Sequence, residues 1–353
     1  MDKKNTINRQ FSPAMNMAAY IIIIAGIMYA QSIVTSLLLA LFISIICAKP
    51  ISWLQKRKVP QVLAIFLVFI GIILGFIVLG ELIAGSLSSF SKNQQLYEEN
   101  LREMGGGFMQ IAKKNGINLS FDKVTGLFNP SKLMGATANV LGQLGGFMSN
   151  TLTIIFLVLF LLLEVDSVSI KVKAVVKDTN KSSNYITTIV TSIRHYLSIK
   201  TLTSFITGLL VWIALAIIGV DYAILWALIA FLLNYIPTIG SIIAAVPAVI
   251  FSLIQLGLGG ALATIIVFVA ANLIIGNILE PKMMGKGMGL SRFIVFFSLL
   301  FWGFILGTVG MFLSIPLTMA IKIILEQNEQ TKSIAIFMGT QGEAQAIIDK
   351  ATP

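Results

Sequence analysis

Charge is scarce in this chain. Of its 353 residues only 11% are Asp, Glu, Lys or Arg, against 57% hydrophobic, and the mean hydropathy is +0.91. A soluble domain carries about 25% charged residues, and a chain this apolar has too little polar surface to meet water on every side. Lipid is the expected solvent for most of it. Cysteine is almost missing too. Cys47 is the one thiol, which excludes an internal disulfide and a cysteine-based metal site. The one histidine, His195, excludes a His-rich metal centre and the paired histidines of an HExxH zinc protease. A serine–histidine arrangement would have to use His195 on the surface face of an amphipathic stretch. An aspartyl pair would need a second acid at the depth of Asp221, which lies in the tight turn Gly219-Val220-Asp221-Tyr222. With no recognisable catalytic constellation, the chain reads as a non-enzyme without cofactor or metal.

The net charge of +10 would ordinarily raise nucleic acid as a partner. The placement of the charge gives the better reading, which is loops gathered on one face of a membrane. Basic residues stand at Lys3, Lys4 and Arg9, at Lys49, Lys56, Arg57 and Lys58, and at Lys171, Lys173, Lys177, Lys181, Arg194 and Lys200. Lys282, Lys286, Arg292, Lys322, Lys332 and Lys350 complete the set, so 19 of the 25 fall on one side if the chain starts inside. The other six lie in 85–146, a segment long enough to escape the charge rule. Both termini are therefore expected in the cytoplasm and 85–146 outside. The apolar run Met17–Ala30 follows basic residues as a signal peptide would, but Met28 occupies the small-residue position of a cleavage site. It reads as a retained helix.

A span needs about 20 apolar residues. Candidates are 16–34, 36–48, 61–84, 147–163, 202–219, 222–236, 241–256, 260–279 and 293–325. The last is long and holds Gly307, Gly310 and Pro316, so either it is a hairpin or an earlier short pair does not fully cross. The expected fold is an all-α polytopic membrane protein with about eight transmembrane helices. Its parts are N-terminal scaffold helices (1–84), external helical arms (85–146), a membrane helix with a cytoplasmic interfacial helix (147–201), a C-terminal transport region with broken or re-entrant elements (202–325) and a cytoplasmic tail (326–353). In the arms, Phe90, Tyr97, Leu101 and Met104 share a helical face, and Asn129-Pro130 can start a helix. Gly71 and Gly75, like Gly142 and Gly146, have the spacing that lets helices approach in lipid. Ile186, Ile189, Val190, Ile193 and Leu197 form the apolar stripe of the interfacial helix, opposite Thr187, Thr191, Arg194, His195 and Ser198.

The C-terminal third carries the functional signal. Asn234-Tyr235-Ile236-Pro237-Thr238-Ile239-Gly240 separates two short apolar runs, and Leu306-Gly307-Thr308-Val309-Gly310 splits the last one. Paired broken segments point to a transporter's binding site, because freed backbone groups are tolerated at membrane depth only where protein or a cavity covers them. The competing reading of each is an ordinary tight turn. Asn234, Pro237, Thr238, Gly240, Asn272 and Asn277 are the candidate substrate pathway. Asn272, Gly276 and Glu280 recur along one helix before Pro281 stops it. Glu280 could pair Lys282 or Lys286 as structure, or bind a proton or monovalent cation. Glu280, Pro281, Gly307, Gly310 and Pro316 are the candidate coupling and gating residues. Glu81 and Glu164 read as interfacial.

The stretches Ala230–Pro247 (AFLLNYIPTIGSIIAAVP), Gly276–Gly289 (GNILEPKMMGKGMG) and Leu299–Pro316 (LLFWGFILGTVGMFLSIP) resemble the bacterial autoinducer-2 exporter (AI-2E) family. The likeness runs over nearly the whole chain, with Thr308 standing where related sequences commonly have proline. It implies an inner-membrane transporter expelling autoinducer-2, a small polar quorum-sensing molecule, and a homo-oligomer, a pentamer. Other members of the family resemble sodium or lithium/proton antiporters. The expected partners are therefore that solute or a monovalent cation, membrane lipid and further copies of the chain. A non-transport scaffold whose arms bind a periplasmic partner is the third alternative.

Overall fold

In lipid the backbone must satisfy its own hydrogen bonds, so long apolar runs wind into helices. The computed structural model describes residues 13–93, 151–175, 182–284 and 289–351, with scattered positions between 95 and 114. The regular elements among the described residues are all helical. They are α1 (Pro13–Tyr29), α2 (Gln31–Lys56), α3 (Gln61–Lys92), α4 (Thr151–Val175) and α5 (Ser182–Ile218). Then follow α6 (Ala223–Leu233), α7 (Gly240–Ala271), a π-helical segment (Asn272–Leu279) running into Glu280–Met284, α8 (Arg292–Glu326), α9 (Lys332–Met338) and α10 (Gln341–Ala351). Five runs are long and apolar enough to cross a membrane, and shorter apolar helices accompany them at Met17–Tyr29, Thr151–Glu164 and Ala223–Leu233. The chain is an all-α polytopic membrane protein.

Two long elements fold back on themselves. In α8, Gly307 takes φ 63°, a conformation open to glycine. The indole N–H of Trp302 donates to Thr318 Oγ1 at 3.0 Å, although a straight helix would hold those residues about 24 Å apart. The 293–325 run is thus a hairpin, one of the two alternatives the sequence leaves open. Gly257 (φ 71°) turns α7 in the same way, at the gap between the expected 241–256 and 260–279 runs. A side chain at Gly310 would place its Cβ 1.9 Å from the Trp302 carbonyl oxygen, so the limbs of α8 meet backbone to backbone there.

Two expectations are corrected. The first turn comes at Ala30, and α2 continues through Pro50 to Lys56, so neither 16–34 nor 36–48 is the true element. More consequentially, no separate interfacial helix precedes the 202–219 span. Residues 182–218 form one helix, because nothing between Ser198 and Leu202 breaks it. Ile193 and Leu197 of its stripe are buried by protein, in one cluster with Phe42 of α2 and Leu313, Ile315 and Met319 of α8.

The end of α3 and the residues just after it are tied to the turn between α5 and α6 and to α7. Phe90 and Tyr97 join Trp226 and Phe251 in a buried cluster. Tyr97 donates to Asp221 Oδ2 at 3.0 Å. Burial, then hydrogen bonding with Tyr222 and Asp221, holds the Tyr97 hydroxyl well above the usual tyrosine range, so it stays a donor. Leu101, Met104, the helix start at Asn129-Pro130 and the Gly142/Gly146 pair lie outside the described residues. Gly71 and Gly75 face open space, so within one chain they bring no helix close.

Candidate functional site at the first helix break

Helix α5 carries Lys200, Thr203, Ser204 and Thr207 at spacings of three and four, which stack on one helical face. All four are buried. Thr203 and Thr207 satisfy their hydroxyls on α5 itself, donating to the Lys200 and Thr203 carbonyls at 3.2 and 2.9 Å. Lys200 and Ser204 reach to other elements.

Ser204 meets the first break. Helix α6 has 11 residues, about 16 Å of rise, short of a hydrocarbon core of about 30 Å. Three residues stop it there. Pro237 lacks the N–H that would continue the ladder. Thr238 takes φ 57°, a left-handed conformation rare outside glycine. Gly240 starts α7 so close under α6 that a Cβ would lie 1.8 Å from the Leu233 carbonyl oxygen. Asn234, at the end of α6, is buried and donates its amide to Ser204 Oγ at 3.0 Å. Next to it the Tyr235 hydroxyl donates to Thr201 Oγ1 at 2.8 Å.

Lys200 meets Glu280. Its ammonium donates to both carboxylate oxygens, at 2.8 and 2.9 Å, and the two side chains are only 6% and 13% exposed. The sequence expectation of Lys282 as structural partner is corrected here, and Lys286 lies outside the described residues. Lys282 is exposed, and a lysine 80 positions away takes the carboxylate. Residues 272–279 wind as a π-helix before delivering Glu280, a rare geometry that concentrates at functional sites. In a low-dielectric interior such a pair holds only because each charge neutralises the other.

The remaining candidates divide. Pro237 and Gly240 are buried in the turn, whereas Thr238 and Asn277 are exposed, as is Pro281. Asn272 is half-buried, with its Oδ1 3.0 Å from where a Cβ on Gly276 would stand. Among the described residues Asn234 has Ser204, not Asn272, as its partner. Gly307, Gly310 and Pro316 belong to the α8 hairpin, which touches the first break through Tyr235 and Phe312, ring centroids 6.2 Å apart. Lys200 and Ser204 were missed as site residues. The available signal was the polar spacing 200, 203, 204, 207 inside an apolar helix, which an imagined boundary at residue 202 hid. No group of three or more His, Cys, Asp or Glu side chains among the described residues could hold a metal ion.

The model of the AI-2E family transporters matches residues 17–330. The chain belongs to the AI-2E transporter family. A relative from Haemophilus influenzae, provisionally named a transport protein, is 41% identical over 331 residues, covering 92% of this chain and 95% of its own. The AI-2 transport protein TqsA of Escherichia coli is 36% identical over 318 residues, covering 90% and 92%. A second E. coli relative, YhhT, also provisionally named for transport, is 33% identical over 325 residues, covering 92% and 93%. In this AI-2E transporter, α5, the first break and the π-helical segment all fall inside the matched region. Helices α9 and α10 fall beyond its end at residue 330.

Proposed function

We propose that the protein exports autoinducer-2 across the bacterial inner membrane. The observation that carries this reading is the buried Asn234–Ser204 contact beside the Lys200–Glu280 pair, at the helix break between α6 and α7. A polar solute leaving water needs replacement hydrogen bonds, since an unpaired polar group in an apolar site costs about 2–7 kcal/mol. An asparagine amide, a serine hydroxyl and interrupted backbone are groups that supply them without net charge. The naming of the related E. coli protein TqsA for AI-2 transport supports this choice of solute. Vesicles reconstituted with this protein alone and loaded with autoinducer-2 should lose it several-fold faster than protein-free vesicles. Equal rates would exclude this solute.

A second reading, a monovalent-cation/proton antiporter, is favoured by one feature. Glu280 is a buried carboxylate whose counter-charge is a lysine, and separating the two frees a site for a proton or a cation. Cation-driven proton release in the same vesicles, lost in Glu280→Gln, would favour it over export of autoinducer-2.

The orientation proposed with this function places both termini and 164–201 in the cytoplasm and 85–146 outside. Single cysteines at Ser120 and Ser183 in a Cys47→Ser background check it. An impermeant thiol reagent on intact spheroplasts should label the first and spare the second, and the reverse pattern would overturn the topology.

A further inference from the structure

One buried hydroxyl near the charge pair has no partner. Tyr196 of α5 packs in the cluster with Phe42 of α2 and Leu313, Ile315 and Met319 of α8, and it is 2% exposed. Its hydroxyl is buried and meets no hydrogen-bond partner among the described residues. Two other tyrosines are satisfied, Tyr97 on Asp221 at 3.0 Å and Tyr235 on Thr201 at 2.8 Å. A buried polar group is nearly always paired, because it has given up its bonds to water. Ser252 and Thr264 of α7 also have buried hydroxyls without a partner, but a short side chain on a helix can turn its hydroxyl to a carbonyl one turn back. The Tyr196 hydroxyl stands at the end of a rigid ring and has no such recourse.

Its place on α5 names the acceptor. Tyr196 stands four residues before Lys200, so the two share one face of the helix, and Lys200 holds Glu280. The segment Glu280–Met284 runs past the same place: Met284, one turn beyond Glu280, packs against the cluster that contains Tyr196. The Glu280 carboxylate is close enough to act on the Tyr196 hydroxyl electrostatically. It also has room for another donor. A carboxylate offers about four lone-pair sites, and Lys200 takes one on each oxygen.

We propose that Tyr196 is the second seat of Glu280: when Lys200 releases the carboxylate during transport, the Tyr196 hydroxyl donates to it in place of the ammonium. The ammonium is then free to meet the solute. Glu280 meanwhile keeps a donor, and so avoids the uncompensated burial that makes breaking such a pair costly. Tyr196 acts through Glu280 and is a positioning residue. The exchange rests on the pair opening, not on which solute the protein carries, and so goes beyond the export reading above.

Tyr196→Phe removes the hydroxyl and keeps the ring. In the closed pair that hydroxyl bonds nothing, so the full-length variant in detergent should unfold at the wild-type temperature. In a Lys200→Met background Tyr196 is left to hold Glu280, and adding Tyr196→Phe should lower the unfolding midpoint by a further 2 °C or more, about the effect of one lost hydrogen bond. Should Lys200→Met not assemble, Lys200→Gln carries the same comparison. Vesicles containing Tyr196→Phe and loaded with autoinducer-2 should lose it about tenfold more slowly than wild type, as the loss of one hydrogen bond to a charged group implies. A hydroxyl that only fills the core gives the opposite results. An equal effect of Tyr196→Phe in both backgrounds, or efflux at the wild-type rate, overturns the second seat. If wild-type vesicles themselves lose no autoinducer-2, the export reading fails, and the unfolding midpoints still decide Tyr196.

Discussion

Lys200→Met is expected to destabilise the detergent-solubilised protein by about 3–5 kcal/mol, because it leaves the Glu280 carboxylate buried without its counter-charge. The magnitude follows from burial. An exposed ion pair is worth about 0–1 kcal/mol, but these side chains are 6% and 13% exposed and joined by two hydrogen bonds. Glu280→Gln should cost less, since the amide still offers an oxygen to the ammonium. Combining Lys200→Met with Glu280→Gln removes both charges and should recover much of the lost stability, the non-additivity expected of groups in contact. Thermal unfolding of the three variants measures this. Transport then separates structure from function. If the pair only braces α5 against the end of the π-helical segment, the double variant regains transport along with stability. If the pair must open and close, or exchange a proton, the double variant is folded and inactive.

Asn234→Leu is the second substitution with a large expected effect. It removes the amide that reaches Ser204 at 3.0 Å inside the first break and puts an apolar group where a polar solute needs a partner. Losing one such hydrogen bond from the transported state slows efflux of autoinducer-2 by about tenfold. Ser204→Ala should slow it less, because the Asn234 amide remains and is freed to meet the solute. Pro237→Ala should also be mild. It restores an N–H, but Gly240 under the Leu233 carbonyl still holds the turn. Efflux from cells carrying matched amounts of each variant checks the series. A wild-type rate for Asn234→Leu would show that the break is a turn and nothing more.

The two corrections on which these experiments depend share one cause. The basic residues before the 202–219 span were read as solvated because the span was assumed to begin where its unbroken hydrophobicity begins. Helix α5 ignores that boundary. Its earlier turns are covered by α2 and α8, so Lys200 is buried by neighbours that its own segment does not name. Glu280 was recognised as an unusual acid from its place on an apolar helix. Its partner was sought nearby, at Lys282 and Lys286, because local spacing offers only local partners. The first break was legible for the opposite reason: proline, glycine and a polar asparagine between two short apolar runs act on the backbone where they stand.

Sequence by itself determined what depends on composition and on neighbours along the chain. That includes the lipid environment, the all-helical architecture and the interruption at 234–240. Each follows from the rule that a backbone in lipid must bond to itself, except where particular residues prevent it. The hairpin at Gly307 is one of two readings the sequence leaves open, and the turn at Gly257 comes from the structure. Only the tertiary structure decided which side chains meet: Lys200 with Glu280 across 80 positions, Asn234 with Ser204 across 30, and Glu343 with Lys322 across 21. Those pairings depend on how each helix is rotated about its axis and slid along its neighbours. When most faces of a helix are apolar, the local pattern leaves both nearly free, and packing sets them.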